Sequence, residues 1–183
     1  MLVSTPVEPE AADIDLVRTA RNGDRAAFGG LYSRYRRMVH GVLIAHVPHA
    51  DAEDLLHDVF VRAMRLLPAL RDPAAFGAWL AAIARNLAAD HHRRNRQTVE
   101  VTDRNCGASR QNVSDQSEAE RALRALRLLP PAYRETLILR LVEGLTGPEI
   151  AARTGLTPDS VRVNLCRGMK LLRAQLQGGT DYE

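Results

Sequence analysis

Apolar residues in this chain recur at helical spacing, and no alternation long enough for a strand occurs. Leu16, Val17, Ala20, Ala27, Phe28, Leu31, Tyr32 and Tyr35 fall on turn-periodic stripes, as amphipathic helices require. Asn22-Gly23-Asp24 interrupts them, and Asp24 can cap the helix that follows. The pattern runs on through Met38, Val39, Val42 and Leu43 to Val47-Pro48-His49, where proline disfavours helix at the residue before it. Asp51 is then the expected cap of a helix reaching Leu67, with Leu55, Leu56, Val59, Phe60, Ala63, Leu66 and Leu67 as its buried stripe. Residues 68–73 read as a loop, and periodicity resumes with Phe76, Trp79, Leu80, Ile83, Ala84 and Leu87. From 95 to 118 it disappears into Gln, Asn, Ser, Thr and Asp, which predicts a flexible linker. Beyond it Ala122, Leu123, Leu126 and Leu129 lead through Pro130-Pro131 to Tyr133, Leu137, Ile138 and Leu141, ending at Gly144. The expected fold is all-α, two small helical domains on a tether.

The last stretch, 145–176, spells two capped helices around a tight turn. Thr146 with Glu149 three residues on is a capping box, and Pro148 suits the first turn. Ile150 and Ala151 should face inward, and Gly155 provides the left-handed residue that ends a helix. Thr157 then caps a second helix with Pro158 at its first position. Val161, Leu165, Met169 and Leu172 form that helix's inward stripe. On the other side Val163, Cys166, Arg167 and Lys170 point outward with Arg162 on the flank, an array suited to a major groove. A solvated basic helix would show the same face. The capping box, the Gly155 turn and the Thr-Pro cap in succession favour a helix-turn-helix that reads DNA.

Composition changes this picture little. The chain of 183 residues carries a net charge of +3, which permits nucleic-acid binding without suggesting it. Lys170 is the only lysine, and an arginine-rich surface suits phosphate and base edges but equally follows from GC-rich coding. Cys106 and Cys166 lie in different segments without ligand spacing, so no disulfide framework or metal site is expected. No signal peptide or membrane-length apolar run is expected, which points to the cytoplasm.

Two further helices carry surfaces of interest. In the helix from Asp51, Asp54, His57, Asp58, Val61 and Arg65 share the side opposite the stripe; they suit a partner surface or an ordinary solvated face. In the helix from Phe76, the aromatic Trp79 lies near Arg85, Asn86 and the cluster His91, His92, Arg93, Arg94 and Arg96. The cluster complements a helix C-terminus; it also suits single-stranded nucleic acid, where bases stack and backbones follow positive charge. Trp79 reads better as core than as a stacking platform.

The order DAEDLLHDVFVRA, FGAWLAAIARNLAADHHRR, a polar linker, LPPAYRETLILRLVEGLT and GPEIAARTGLTPDSVRVNLCRG resembles the extracytoplasmic-function sigma factors of bacterial RNA polymerase. The resemblance implies a region 2 over residues 13–94 that binds core polymerase and melts the -10 element. It implies a region 4 over 119–177 that reads the -35 element, a linker at 95–118 and tails at 1–12 and 178–183. Asp54, His57, Asp58 and Val61 then match the polymerase-binding surface. Arg71 in the 68–73 loop, with Trp79, Arg85, Asn86, Asp90, Arg93 and Arg94, matches the segment that captures an unstacked promoter base, which must offset an extrusion cost of a few kcal/mol. Arg162, Val163, Cys166, Arg167 and Lys170 match the -35 contacts. His57 stands where the family commonly has glutamine, and Cys166 where a larger side chain is common, so the promoter sequence stays open. The implied partners are core RNA polymerase through its clamp helices and flap, promoter DNA and an anti-sigma factor, with no cofactor, no membrane insertion and a nucleoid-associated place in the cytoplasm.

Other classes fit less well. A repressor or response-regulator output domain would share only the last sixty or so residues. An enzyme would have to rest on six histidines, including His46, His49 and His57, which lack the His-Glu-x-x-His spacing, and no nucleophile motif surrounds a serine or cysteine.

Overall fold

The computed structural model describes residues 9–102 and 118–177, and every regular element within them is helical. A first lobe contains α1 (Pro9–Arg21), α2 (Arg25–His46), α3 (His49–Leu66) and α4 (Phe76–Thr102). Two short 3-10 turns, Leu67–Ala69 and Pro73–Ala75, carry the chain from α3 to α4. The second lobe contains α5 (Glu118–Arg127), α6 (Pro131–Leu141), α7 (Gly147–Thr154) and α8 (Pro158–Gln177). The expected N-terminal tail at 1–12 is shorter than foreseen, because α1 takes up residues 9–12, where proline suits a first helical turn and alanine favours helix; its residues 1–8, linker positions 103–117 with Cys106, and the tail at 178–183 lie outside the described residues.

The helix boundaries follow local chemistry, with three further departures from expectation. Asp24 caps α2 as foreseen, its Oδ1 accepting from Ala26 N at 2.7 Å and Ala27 N at 3.0 Å. Val47 is extended ahead of Pro48, with φ −123° and ψ 165°, the geometry a following proline imposes. Asp51, however, is not the cap of α3: Pro48 occupies that position and makes no side-chain cap bond. Asp51 sits inside the first turn, where an acid favours the helix N-terminus, and its carboxylate meets His91 Nε2 at 3.1 Å. Leu66 is 42% exposed while Leu67 is buried, because the helix tightens into a 3-10 turn there and displaces the expected stripe. Finally, α4 runs to Thr102, past the point where apolar periodicity stops. Arg, Gln and Glu are good helix formers, and extending an existing helix needs no new nucleus.

The lobes pack against each other, which the two-domain sequence pattern did not foretell. Helix α2 lies centrally, packed on α1, α3 and α4 on one side and on α6 on another, while α7 packs on α4. Leu31, Met38, Leu43, Phe76 and Leu80 of the first lobe and Leu137, Ile138, Leu139 and Ile150 of the second belong to one buried cluster. Each such side chain contributes about 1.5–3 kcal/mol on leaving water. Two glycines allow the approach. A Cβ at Gly41 in α2 would stand 2.7 Å from Leu139 Cδ2 and 2.8 Å from Glu143 Cγ; one at Gly77 in α4 would stand 2.7 Å from the Arg153 carbonyl oxygen.

Glycine-to-alanine substitutions should therefore act in opposite directions. Gly29→Ala in α2, with nothing within 4 Å of its added methyl, should stabilise by about 0.5–1 kcal/mol. Gly77→Ala should destabilise by about 1–3 kcal/mol through overpacking. Thermal melts followed by circular dichroism check both signs.

Candidate nucleic-acid and polymerase interfaces

The second lobe ends in the helix-turn-helix that its sequence spells. Thr146 Oγ1 accepts from Glu149 N at 3.4 Å, and Thr146 N donates to Glu149 Oε2 at 2.8 Å, so both arms of the capping box are formed. Thr146 Oγ1 also donates to Glu149 Oε2 at 2.7 Å, and the two bonds that Thr146 donates to this carboxylate, the backbone one foremost, hold the Glu149 carboxyl below its ordinary value. Gly155 takes φ 75° at the end of α7, and Thr157 Oγ1 accepts from Ser160 N at 3.1 Å to start α8. Val161 and Leu172 are buried, and Leu165 and Met169 pack partly buried against the same core. Gly168 lets α8 approach α6, where a Cβ would meet Leu137 Cδ1 at 3.0 Å.

This packing leaves the outer face of α8 to solvent. Arg162, Cys166, Arg167 and Lys170 are exposed and Val163 is half-buried. Arg162 Nη2 lies 3.3 Å from Asp159 Oδ1, both side chains well exposed, a pair that high dielectric and side-chain entropy make weak. Arg167 and Lys170 make no ion pair among the described residues. The face thus presents cations around the small, exposed Cys166.

In the first lobe α4 divides the expected nucleic-acid residues between two faces. Asn86 and Arg93 are exposed and Asp90 is half-buried, its carboxylate paired with Arg93 one turn on. Trp79 shares this side, half-buried and packed on the core with its ring 5.7 Å from Phe76, which agrees with the core reading. Arg94 is exposed, and Arg71 is exposed in the turn before Asp72, which caps the Pro73–Ala75 turn through Ala74 N. Arg85 is the exception. About 100° around the helix from Asn86, it donates from Nε at 3.0 Å and Nη2 at 2.7 Å to the two oxygens of Glu135 in α6.

On α3 the acidic side is assembled as expected: Asp54, His57 and Asp58 are exposed and Val61 is half-buried beside them. Met64, 50% exposed, extends this side one turn further.

Sequence reading missed the groups that join the lobes. Glu135 and Glu143 are both 7% exposed. Besides Arg85, Glu135 meets His46 Nε2 at 3.1 Å. Burial alone would raise its carboxyl, but the bonds to His46 and Arg85 outweigh burial and hold it below the ordinary value. Glu143 meets His40 Nδ1 at 2.6 Å and Arg37 Nε at 3.9 Å, and Arg37 also donates to the Glu143 carbonyl oxygen. Next to Glu135, Arg134 donates to the Ala45 carbonyl at 3.0 Å. The available signal was a glutamate inside the apolar run of α6 together with glycine inside α2.

The family model for Sigma-70 region 2 matches residues 31–98 and that for Sigma-70, region 4 matches residues 119–172. The RNA polymerase sigma factor CarQ of Myxococcus xanthus is 34% identical over 168 residues, covering 89% of this chain and 96% of that one. The ECF RNA polymerase sigma factor BldN of Streptomyces coelicolor is 33% identical over 178 residues; these cover 87% of this chain and 64% of that longer one. Among solved structures, CnrH in complex with the cytosolic domain of CnrY matches with a TM-score of 0.62 and 28% identity, over 91% of this chain and 98% of that one. The chain belongs to the extracytoplasmic-function branch of the sigma-70 family. It is a transcription initiation factor that directs RNA polymerase to promoters and is not an enzyme. Among the described residues no helix is long and apolar enough to cross a membrane.

The capping box makes a stability prediction with a defined pH dependence. Thr146→Ala should cost about 1 kcal/mol at neutral pH. Because the Glu149 carboxyl is depressed by the bonds from Thr146, its share is present above its ordinary pKa and lost as pH falls through the lowered one. The gap between parent and variant in urea melts should narrow below pH 4.5.

Proposed function

We propose that residues 13–94 bind core polymerase and open the -10 element while residues 119–177 read the -35 element, with 95–118 connecting them. The observation that supports this best is the outer face of α8: Arg162, Val163, Cys166, Arg167 and Lys170 stand together on a helix that a capped turn presents to solvent. Arginine can donate bidentately to guanine or clamp phosphate there. In the first lobe, Asp54, His57, Asp58 and Val61 of α3 take the clamp helices, and the flap contacts the second lobe. Trp79, Asn86, Asp90, Arg93 and Arg94 of α4, with Arg71 before it, hold the melted strand, and Arg85 joins them when Glu135 lets it go. The factor works in the cytoplasm at the nucleoid and is restrained by an anti-sigma protein; in support, the relative CnrH was solved with a second protein, the cytosolic domain of CnrY, bound to it. In vitro transcription with core polymerase on a library of promoter fragments tests the reading. Specific initiation is expected, and transcription no greater than with core enzyme alone overturns it.

Three sets of variants separate the surfaces. Reversing charge with Asp54→Lys and Asp58→Lys should abolish co-purification with core polymerase at unchanged helix content. Asn86→Ala should reduce open-complex formation much more than duplex binding, because its partner base is available only after melting. In α8, Arg167→Ala should leave the melting curve within about 0.5 kcal/mol; it should weaken promoter binding by about 1–3 kcal/mol if it reads a base, or lower the salt slope by about one if it holds a phosphate. Leu172→Ala should instead destabilise by about 2–5 kcal/mol.

A further inference from the structure

We propose that Asn164 is a positioning residue for promoter reading: through Thr136 of α6 it fixes the roll of α8 about its own axis, and so decides which base edges Arg167 and its neighbours reach. The inference rests on the reading of α8 as the helix that meets the -35 element. Asn164 is half-buried, and its Nδ2 donates to Thr136 Oγ1 at 3.2 Å. Thr136 is 1% exposed, and its own hydroxyl proton goes to the Ala132 carbonyl at 2.8 Å. A hydroxyl has one proton to give, so Thr136 Oγ1 meets α8 only as an acceptor. Its partner must be a donor held in one direction, which Asn164 supplies and an apolar side chain does not. Among the described residues from Val161 to Leu172, Asn164 is the one whose side chain bonds to another helix.

The rest of the contact between α6 and α8 opposes separation better than turning. The stripe of Val161, Leu165, Met169 and Leu172 is apolar, and the burial of apolar surface is non-directional. At the closest approach to α6 the helix offers the bare backbone of Gly168, where a Cβ would stand 3.0 Å from Leu137 Cδ1 and 3.2 Å from Tyr133 Cβ. No side chain of Gly168 interlocks there. Ridges-into-grooves packing leaves about 15–20° of latitude in how two helices meet. For a side-chain tip about 6 Å from the axis, a roll of about 20° is a displacement of about 2 Å. Hydrogen bonds to a base edge span only about 2.7–3.2 Å, so a roll of that size breaks a bidentate arginine contact. In coiled coils a single buried asparagine fixes register in the same way, by being satisfied in one alignment and orphaned in the others.

The placement of Asn164 around the helix suits this role. At about 100° per residue it stands about 60° to one side of Val161, and Arg167 stands about 60° further round on the same flank. The bond to Thr136 therefore lies between the buried stripe and the arginine whose reach it sets. Thr136 is anchored in turn to the backbone of its own helix through Ala132, so the acceptor does not follow a turning α8. Buried on α6, Thr136 touches no nucleic acid, and yet base preference at the -35 element depends on its hydroxyl. That dependence separates positioning from contact.

The test uses the full-length chain with core polymerase on a promoter library in which each base pair of the -35 and -10 elements is varied singly. Relative initiation across the library does not depend on how much active protein a preparation holds, so a loss of stability alone leaves it unmoved. Thr136→Val should flatten preference at the -35 pairs by about fivefold or more, the weight of one bidentate contact, and leave preference at the -10 pairs as in the parent. Thr136→Ser, which keeps the hydroxyl, should keep the parent's preference. Thr136→Val combined with Asn164→Leu replaces both polar partners by apolar groups of similar shape, a change close to neutral for stability. This double variant should melt within about 2 °C of the parent and still be flat at -35. Parent-like preference in Thr136→Val overturns the proposal, as does a double variant that regains melting temperature and preference together. Flattening by Asn164→Leu without flattening by Thr136→Val also overturns it, and makes Asn164 a DNA contact. If Thr136→Val loses helix content by circular dichroism, the double variant decides. A parent without preference at -35 would instead fault the reading of α8.

Discussion

A carboxylate shut away from water must be met by positive charge, and Glu135 imposes that constraint on the whole molecule. Its two oxygens are satisfied only where the C-terminal end of α2 and the middle of α4 converge. Rotating α6 by one residue would turn Glu135 by about 100° and orphan it. Arg134, its neighbour, is committed in turn to the Ala45 carbonyl and to Leu129. With α6 pinned from both residues, α8 is placed through the close approach at Gly168, and its basic outer face is thereby aimed at solvent.

Helix α4 shows how one element serves three neighbours. Leu80, Ala81, Ala84 and Ala88 are buried. Gly77, Ala78 and Arg85 face α6 and α7, with Ala78 Cβ only 2.7 Å from where a Gly155 Cβ would lie. Trp79, Asn86, Asp90 and Arg93 keep the remaining side. The reading of α4 as a single basic-aromatic surface merged the last two faces, because adjacent residues such as Arg85 and Asn86 look alike in a list of polar positions.

Local features were legible in the sequence because their physics is local. The Asp24 cap, the Thr146–Glu149 box, the Gly155 turn and the exposed side of α8 each depend on residues within about one turn of each other. Asp51 misled because its alternative partner, His91, is 40 residues away. The lobe interface was invisible for the same reason: His40 pairs with Glu143 across 103 positions and His46 with Glu135 across 89. Histidines counted as isolated sites gave no hint of carboxylate partners, and a linker stretch between two periodic segments reads as separation whether or not the segments dock.

The end of α2 is finished by groups that come later in the chain. Arg134 takes the Ala45 carbonyl and His92 takes that of His46, two of the last carbonyls that a helix cannot satisfy by itself. Synthesis proceeds from the N-terminus, and domains fold as they emerge. A nascent first lobe thus leaves the ribosome with Gly41, Gly77 and Arg85 uncovered, and acquires its cover only once α6 and α7 have been made. For that interval the growing chain exposes a face that the finished protein buries beneath α6 and α7.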